Sequence, residues 1–95
     1  MAFYVYMLAS KRNGTLYIGS TDDLATRIGQ HRSGAVPSFT GRYGVFTLVW
    51  FEIHETRASA LERERAMKHW RRAWKFALIE KENSGWNDLS SSIPH

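Results

Sequence analysis

The segments that decide the fold are FYVYMLA at Phe3–Ala9, NG at 13–14 and TLYIGS at 15–20. The first segment is β-branched and aromatic with no Gly or Pro, and this composition is typical of a strand. Asn-Gly is the pair that tight hairpin turns favour, because both of its positions tolerate a positive φ. The third segment is then the returning strand, and the sequence predicts an antiparallel hairpin at the start of the chain.

The next elements follow outward from this hairpin. The side chains of Thr21, Asp22 and Asp23 can accept hydrogen bonds from first-turn N–H groups, and they predict a helix over about 24–32. Pro37 and the neighbouring glycines predict a loop over 36–44. The run 45–53, VFTLVWFEI, is the most strand-like stretch and is expected to form a central, buried strand.

Two more helices are predicted after Thr56, over 58–69 and 73–82, with a turn near Arg71 between them. The order is ββαβαα, in which helices pack on a three-stranded antiparallel sheet. This is an α+β domain, expected to cover residues 1–89. The polar residues 90–95 are expected to form a flexible tail.

Length and composition limit the class of protein. A chain of 95 residues holds one domain, and 43% hydrophobic with 14% aromatic residues is too much for a disordered segment. The chain has no cysteine, which excludes disulfides and thiolate chemistry. No signal peptide is recognisable, and no apolar run approaches the ~20 residues that span a bilayer. We therefore expect a soluble, cytoplasmic protein with no membrane partner.

The formal net charge of +4 is concentrated in one segment. From Arg57 to Lys75 there are seven cations and two acids, so this segment alone carries +5. A basic stripe is typical of proteins that bind a polyanion such as nucleic acid. A solvated helix face explains the charge equally well, and both interpretations stay open on charge alone.

Four polar or aromatic residues in the first half of the chain are candidates for a site. Tyr6 and Tyr17 lie on the two arms of the hairpin, and they share a face of the sheet if the loop between the strands has an even number of residues. Strand tyrosines are more often packing residues. Gly19 leaves room for a ligand or another backbone to come close. Arg27 and His31 are four residues apart at the border of an apolar helix stripe, where they either line a pocket or form a surface pair.

The second helix supplies two carboxylates of different placement. If the helix continues far enough, its buried side is marked by Ala60, Met67 and Trp74. Glu64 then borders the interior, whereas Glu62 faces solvent. Glu64 is thus a candidate ligand for a hard cation such as Mg²⁺, and the simpler alternative is an ion pair with Lys68 one turn later. Metalloprotease, P-loop, dinucleotide and nucleophile-elbow motifs are all missing.

Taken in order, these residues resemble the GIY-YIG nuclease superfamily, and most closely its small single-domain UPF0213 branch. The first signature element stands here as Tyr4-Val5-Tyr6 in place of Gly-Ile-Tyr, and the second as Tyr17-Ile18-Gly19, unchanged. The resemblance continues through Arg27, His31, the run ALERERAMKHW at 60–70, ALIE at 77–80, Asn83 and WNDL at 86–89. It covers nearly the whole chain.

The resemblance implies single-metal hydrolysis of phosphodiester bonds and gives roles to these positions. Tyr6 and Tyr17 match the two signature tyrosines, which are implicated in activating the attacking water. A tyrosine is a poor base at neutral pH unless a nearby cation lowers its pKa, and Arg27 or a metal is expected to do so. Arg27 also matches the arginine that stabilises the phosphate or the leaving oxygen, and His31 matches a position near the scissile phosphate.

The remaining roles concern the metal and the nucleic acid. Glu64 matches the metal-binding glutamate, with Mg²⁺ as the expected ion and Mn²⁺ as the alternative, and Asn83 matches a late polar residue that can shape the site. Trp70, Trp74 and Tyr43 are able to stack on an unpaired base, although tryptophans are more often core residues. The expected contacts to flanking phosphates are Arg42, Arg65, Lys68, Arg71 and Arg72.

These observations predict a metal-dependent endonuclease-type domain that acts on DNA, or on structured or single-stranded nucleic acid. The alternative is a nucleic-acid-binding module with vestigial or no catalysis. A protein-interaction domain fits the basic helix least well. A domain of this size has no separate DNA-binding region, so a partner protein that supplies targeting is a further expectation.

Overall fold

The computed structural model describes residues 2–33 and 42–94. The elements in chain order are β1 (Phe3–Ala9), β2 (Leu16–Thr21), α1 (Leu24–Ser33), β3 (Thr47–His54), α2 (Arg57–Lys68), α3 (Arg72–Glu82) and a 3₁₀ turn at Ser90–Ser92. The predicted α+β fold, with an antiparallel three-stranded sheet and the order ββαβαα, is confirmed. Of the loop predicted over 36–44, residues 36–41 lie outside the described part of the chain.

The β1–β2 hairpin has the predicted faces, but its turn is not the predicted tight Asn-Gly turn, because only Asn13 of the pair has a positive φ and the Gly14 N–H donates to the carbonyl of Lys11 over 2.9 Å. Asn13 adopts a φ of 57°, in the left-handed region that Asn tolerates. Ala9 pairs with Leu16, which leaves an even number of residues in the connection. Tyr17 lies opposite Leu8, so it shares the face of Tyr6. The expectation that the two tyrosines project from one side of the sheet is therefore confirmed.

The strand order is β2-β1-β3, so the central strand is β1. The prediction that the run 45–53 forms a central strand was wrong, because among the strands of the described residues β3 lies at an edge and pairs with β1 alone. Its first half is buried through Leu48, Val49 and Trp50, which accounts for the apolar pattern. Its second half emerges from the core, and Ile53 is 53% exposed.

The sheet buries both of its faces. On one face, β1 and β2 pack against α2 and α3 in a cluster that includes Val5, Met7, Ile18, Met67 and Ile79. On the other face, the strands pack against α1 in a cluster that includes Tyr6, Leu8, Leu24, Ile28 and Leu48. The hairpin therefore presents its alternate residues to two different helical layers.

The two C-terminal helices are separate, and this corrects the predicted buried side. Ala60 and Met67 are buried as expected, but Trp74 is 55% exposed. The reason is that α2 ends at Lys68, and α3 begins at Arg72 after an extended residue, so Trp74 does not continue the face of α2. In the described part of the chain no helix has the length and apolar composition needed to cross a membrane.

The C-terminal segment is packed on the domain, in contrast to the flexible tail expected over 90–95. Ser90–Ser92 forms one turn of 3₁₀ helix, and the next residue, Ile93, is 6% exposed. Ile93 belongs to the core cluster on the α1 face of the sheet. The apolar side chain of Ile93 was the sequence signal that this segment packs on the domain, because its burial removes apolar surface from water.

Candidate active site

Three aromatic side chains meet on the α1 face of the hairpin, and we refer to Tyr6, Tyr17 and His31 as the Tyr–His cluster. The Tyr6 hydroxyl oxygen and His31 Nε2 lie 3.1 Å apart in a buried hydrogen bond. The Tyr17 ring centroid lies 5.1 Å from that of His31 and 6.1 Å from that of Tyr6. Tyr6 is 1% exposed, whereas Tyr17 is only partly buried. Tyr17 is therefore the tyrosine that solvent and a substrate can reach.

The protonation states of the cluster follow from burial. Burial, and then the neighbouring Tyr17, raise the pKa of Tyr6, although the charge of Arg27 acts in the opposite direction. Burial and the charge of Arg27 lower the pKa of His31 from 6.5. Near neutral pH the Tyr6 hydroxyl therefore stays protonated and the His31 imidazole is neutral. The two groups share one hydrogen bond, in which the imidazole tautomer sets which of them donates. The expectation that Arg27 lowers a tyrosine pKa holds in sign, but burial outweighs it at Tyr6.

Gly19 makes room for the Tyr–His cluster. It pairs with Tyr6 across the hairpin, on the same face. A Cβ at Gly19 would stand 2.6 Å from the Tyr6 hydroxyl oxygen and 3.0 Å from Cε1 of Tyr17. The close approach expected at Gly19 is thus made by the phenol of Tyr6.

Glu64 is held on the α2 face of the same hairpin. The Ser20 hydroxyl donates to Glu64 Oε1 over 2.5 Å, and Lys68 Nζ lies 2.7 Å from Oε2. Burial alone would raise the pKa of Glu64, but the hydrogen bonds from Lys68 and Ser20 outweigh it and hold the pKa below 4.5. The side chain is 16% exposed and ionised. Glu64 therefore borders the interior as predicted, Glu62 is exposed, and the alternative ion pair is present as well.

The two groups of residues adjoin each other around the edge of the sheet. Along β2, Tyr17 and Gly19 point to the α1 face and Ser20 points to the α2 face. Within the described ranges 2–33 and 42–94 no strand lies beyond β2, and the charge of Glu64 contributes to the raised pKa of Tyr6. The candidate site thus wraps the free edge of β2, with aromatic groups and Arg27 on one side and a carboxylate on the other.

The oxygen donors at this edge suit a hard cation with few protein ligands. Residues 2–33 and 42–94 contain no group of three or more His, Cys, Asp or Glu side chains that could hold a metal. Glu64 offers one ionised carboxylate, and Ser20 offers a hydroxyl beside it. Mg²⁺ often uses one or two carboxylates and completes its shell with waters and substrate phosphate. The donor set therefore fits a singly anchored Mg²⁺ and does not fit a closed protein cage.

The structure does not bring Asn83 into this site. Its Nδ2 donates to the carbonyl of Val49 over 3.0 Å and to the carbonyl of Asn87 over 2.9 Å. Its Oδ1 accepts from the backbone N–H of Asn87 over 3.1 Å. These contacts give Asn83 a structural part, in which it ties the end of α3 to β3.

The residues expected to contact phosphates divide into two groups. Arg72 donates to the carbonyl of Asn13 over 3.1 Å and to that of Gly14, and its guanidinium packs 4.5 Å from the ring centroid of Phe76. Lys68 is paired with Glu64. The other three make no ion pair and no side-chain hydrogen bond within the described part of the chain, and all five members of the set are exposed: Arg42, Arg65, Lys68, Arg71 and Arg72.

Ser20 is a site residue that the sequence analysis missed. Ile18 and Ser20 are two positions apart on β2, so both point to the face that packs against α2, where Ile18 is buried. A hydroxyl at the next position of a buried strand face requires a polar partner. That period-two placement was the signal that could have found it.

The family model described as the GIY-YIG catalytic domain matches residues 2–77. A UPF0213 protein of Clostridium perfringens is 36% identical over 80 residues, which are 84% of this chain and 85% of the relative. A UPF0213 protein of Haloquadratum walsbyi is 35% identical over 78 residues, which are 82% of this chain and 86% of that relative.

A solved structure agrees with these relatives. The solution NMR structure of a UPF0213 protein from Bacillus halodurans is similar with a TM-score of 0.57 and 28% sequence identity, over 100% of both chains. The residues matched by the family model include the hairpin, α1 and α2, which carry the candidate site. The chain therefore belongs to the GIY-YIG family, and within it to the UPF0213 proteins.

Proposed function

We propose that this protein is a metal-dependent endonuclease that hydrolyses phosphodiester bonds in DNA. A GIY-YIG catalytic domain implies a nuclease-type function. The observation that carries the proposal is that β2 bears both halves of the site: the Tyr–His cluster on one face, and on the other face Ser20, which holds the ionised Glu64. The charges of Arg27 and Glu64 both act on the pKa of Tyr6, which supports their lying near the cluster. Water-activating groups, a cation for a phosphate and a ligand for a metal would thus flank one strand.

Tyr17 is the group that meets the attacking water, because it is the accessible tyrosine of the cluster. Tyr6 and His31 lie behind it and provide a proton path, since the Tyr6 hydroxyl is bonded to a neutral imidazole. The guanidinium of Arg27 binds the phosphate, whose charge increases as the water adds. Its effect on the pKa of both Tyr6 and His31 supports a position next to the cluster.

The reaction breaks the bond between phosphorus and the 3′-oxygen and forms a bond between phosphorus and the oxygen of water. The proton of the water passes to the Tyr–His cluster, and the leaving 3′-oxygen takes a proton from solvent. The products are a 5′-phosphate and a 3′-hydroxyl. A divalent cation on Glu64, Mg²⁺ or Mn²⁺, would supply Lewis acidity to a phosphoryl oxygen.

Lys68 couples the metal site to the nucleic acid. Its ammonium lies 2.7 Å from Glu64 Oε2 and repels a cation bound there, and a substrate phosphate is an alternative partner for the ammonium. We therefore expect weak metal binding by the free protein and tighter binding when nucleic acid is present. Titration of Mn²⁺ with and without a non-cleavable oligonucleotide measures this difference, and equal affinities would contradict the coupling.

A nucleic-acid-binding module without catalysis is the second candidate. It is favoured by the fact that both oxygens of Glu64 are already bonded, to Ser20 and to Lys68. A module of this kind would keep Glu64 as a structural ion pair and would not require a metal.

Cleavage of a panel of labelled DNA and RNA structures, with Mg²⁺, Mn²⁺ or EDTA, separates the two candidates. We expect metal-dependent cutting that Glu64→Gln and Tyr17→Phe each reduce by at least about a hundred-fold. Glu62→Gln is the matched control, because it removes an exposed carboxylate from the same helix. Binding without cutting on every substrate, unchanged by Glu64→Gln, would refute the nuclease and support the second candidate.

A further inference from the structure

An open apolar groove runs along α3, outside the candidate active site, and two of its lining residues, Trp70 and Leu78, also pack against the core. Its lining residues are Trp70, Trp74, Ala77, Leu78 and Lys81. We refer to this surface as the tryptophan groove. The two indole rings meet edge to face, with centroids 6.4 Å apart, and Trp74 is 55% exposed. A large aromatic ring held half in water beside a second ring offers a flat surface to a ligand.

Three cations border the tryptophan groove, and two of them are arginines that stand over its indole rings. The guanidinium carbon of Arg71 lies 5.8 Å from the centroid of Trp74, and that of Arg63 lies 5.1 Å from the centroid of Trp70. Lys81 lines the groove itself. A ligand that combines a flat ring with a negative charge therefore finds both complements at one place.

The acidic residues of α3 are engaged away from the groove. Glu80 accepts a hydrogen bond from the indole of Trp86 over 2.6 Å, and Glu82 accepts one from the indole of Trp50 over 2.9 Å. Trp50 and Trp86 belong to the core cluster between the sheet and the helices. The described rim of the groove consequently carries positive charge next to apolar surface.

We propose that the tryptophan groove binds the unpaired nucleotides of a single-stranded nucleic acid, with a base stacked on Trp74 and backbone phosphates at Arg71 and Lys81. Aromatic stacking and a basic border are what single-strand-binding surfaces combine. Bases in a duplex are stacked on one another and cannot lie flat on Trp74. An apolar peptide would use the rings but not the cations that stand over them.

The groove is separate from the candidate active site. Arg63, which contacts Trp70, is bonded to Glu52 of β3 over 3.1 Å. Glu64 is bonded to Ser20 of β2, at the opposite edge of the sheet. The two sites therefore lie on different sides of α2. Binding of a single strand in the groove does not depend on Glu64. Only the idea that this binding positions a substrate for cleavage rests on the proposed function.

The test is the affinity of the whole protein for labelled oligo(dT), oligo(rU) and a blunt DNA duplex, measured by fluorescence anisotropy in EDTA so that nothing is cut. We expect oligo(dT) and oligo(rU) to bind more tightly than the duplex. Trp74→Leu should weaken single-strand binding about ten-fold, because it keeps an apolar side chain and removes the ring. Trp74→Phe should restore most of the affinity.

The charges are tested by salt dependence. Lys81→Gln should reduce the slope of log affinity against log salt by about 0.7, the value for one phosphate contact on a single strand. Lys11→Gln, on the exposed hairpin turn, removes the same charge away from the groove and should leave the slope unchanged. Equal slopes for the two variants would overturn the placement of phosphates at Lys81.

Other outcomes decide between this inference and its competitors. Wild-type binding by Trp74→Leu would overturn it, as would self-association in sedimentation that Trp74→Leu abolishes, because a second copy would then occupy the groove. If Glu64→Gln loses cleavage while Trp74→Leu binds normally, the groove proposal fails and the nuclease stands. If binding depends on Trp74 and nothing is ever cut, the nuclease fails and the groove stands.

Discussion

The backbone of Gly19 lies directly against the phenol of Tyr6, so that a Cβ at Gly19 would stand 2.6 Å from the Tyr6 hydroxyl oxygen. Gly19→Ala therefore has to displace the Tyr6 ring, which is bonded to His31 and 1% exposed. We expect the variant to fold with reduced stability and to lose most of its cleavage activity. Circular dichroism melting and cleavage rates measure the two effects.

Gly29→Ala is the matched control for Gly19→Ala. Gly29 is exposed in α1, and a Cβ there meets no atom within 4 Å. Because alanine is the better helix former, this variant should be more stable by about 0.5–1 kcal/mol with unchanged cleavage. Similar losses in the two variants would show that the contact with Tyr6 is not the cause.

His31 should make stability and activity depend on pH. Its pKa is lowered from 6.5 by burial and by Arg27, so the unfolded chain takes up a proton that the folded protein resists. The stability from the neutral imidazole is complete above about pH 6.5 and is lost as the pH falls below that value. Cleavage should fall in the same range, because a protonated imidazole cannot accept the Tyr6 hydrogen bond.

Urea denaturation at a series of pH values tests this dependence. His31→Gln should be less stable at pH 7 and should lose less stability than the wild type between about pH 6.5 and 5. His69→Gln, which removes an exposed imidazole, is the control. A wild-type pH profile in His31→Gln would contradict the assignment.

Asn83 should matter for stability and not for chemistry. Asn83→Ala leaves the carbonyl of Val49 without the 3.0 Å donor that it has in the folded protein, at a cost of about 1–3 kcal/mol. The exposed Asn87 is the comparison, and Asn87→Ala should change stability by less than about 0.5 kcal/mol. Cleavage by the folded fraction of Asn83→Ala should equal that of the wild type. A lower rate at equal folded fraction would assign Asn83 the catalytic part that the family pattern implies.

Lys68→Gln should raise the affinity of the free protein for Mn²⁺ several-fold. The change removes the ammonium that lies 2.7 Å from Glu64 Oε2, so that Mn²⁺ no longer competes with this ammonium for the carboxylate. Arg65→Gln is the control, because Arg65 lowers the pKa of Glu64 by its charge without a hydrogen bond to it. Isothermal titration calorimetry measures both variants. An equal gain in Arg65→Gln would point to net charge as the cause.

Local patterns predicted the hairpin and the carboxylate. The Asn13 turn and the alternation along β1 and β2 are short-range features, and they place Tyr6 and Tyr17 on one face. The helical spacing of α2 is equally local, and it separates the partly buried Glu64 from the exposed Glu62. The face of the tyrosines required only the hairpin, and the buried side of α2 is marked by Ala60 and Met67 even though Trp74, taken together with them, belongs to α3.

Features that depend on contacts between distant elements were not predictable in this way. The edge position of β3 depends on which strands pair, and an apolar run does not specify its neighbours. The turn near Arg71 between the two helices was predicted and is present, but the exposure of Trp74 depends on how α3 packs, which helical spacing along α2 does not specify. The bond from Ser20 to Glu64 joins residues that are 44 positions apart.

The alternation of β2 between two helical layers makes the site depend on hairpin register. A slip of one residue would send Tyr17 towards α2 and Ser20 towards α1, and both halves of the site would be lost together. Arg72 opposes such a slip, since it reaches from α3 to the carbonyls of Asn13 and Gly14 in the turn. Activity should therefore appear only when α3 is docked on the hairpin turn, and a partly folded chain should have no activity.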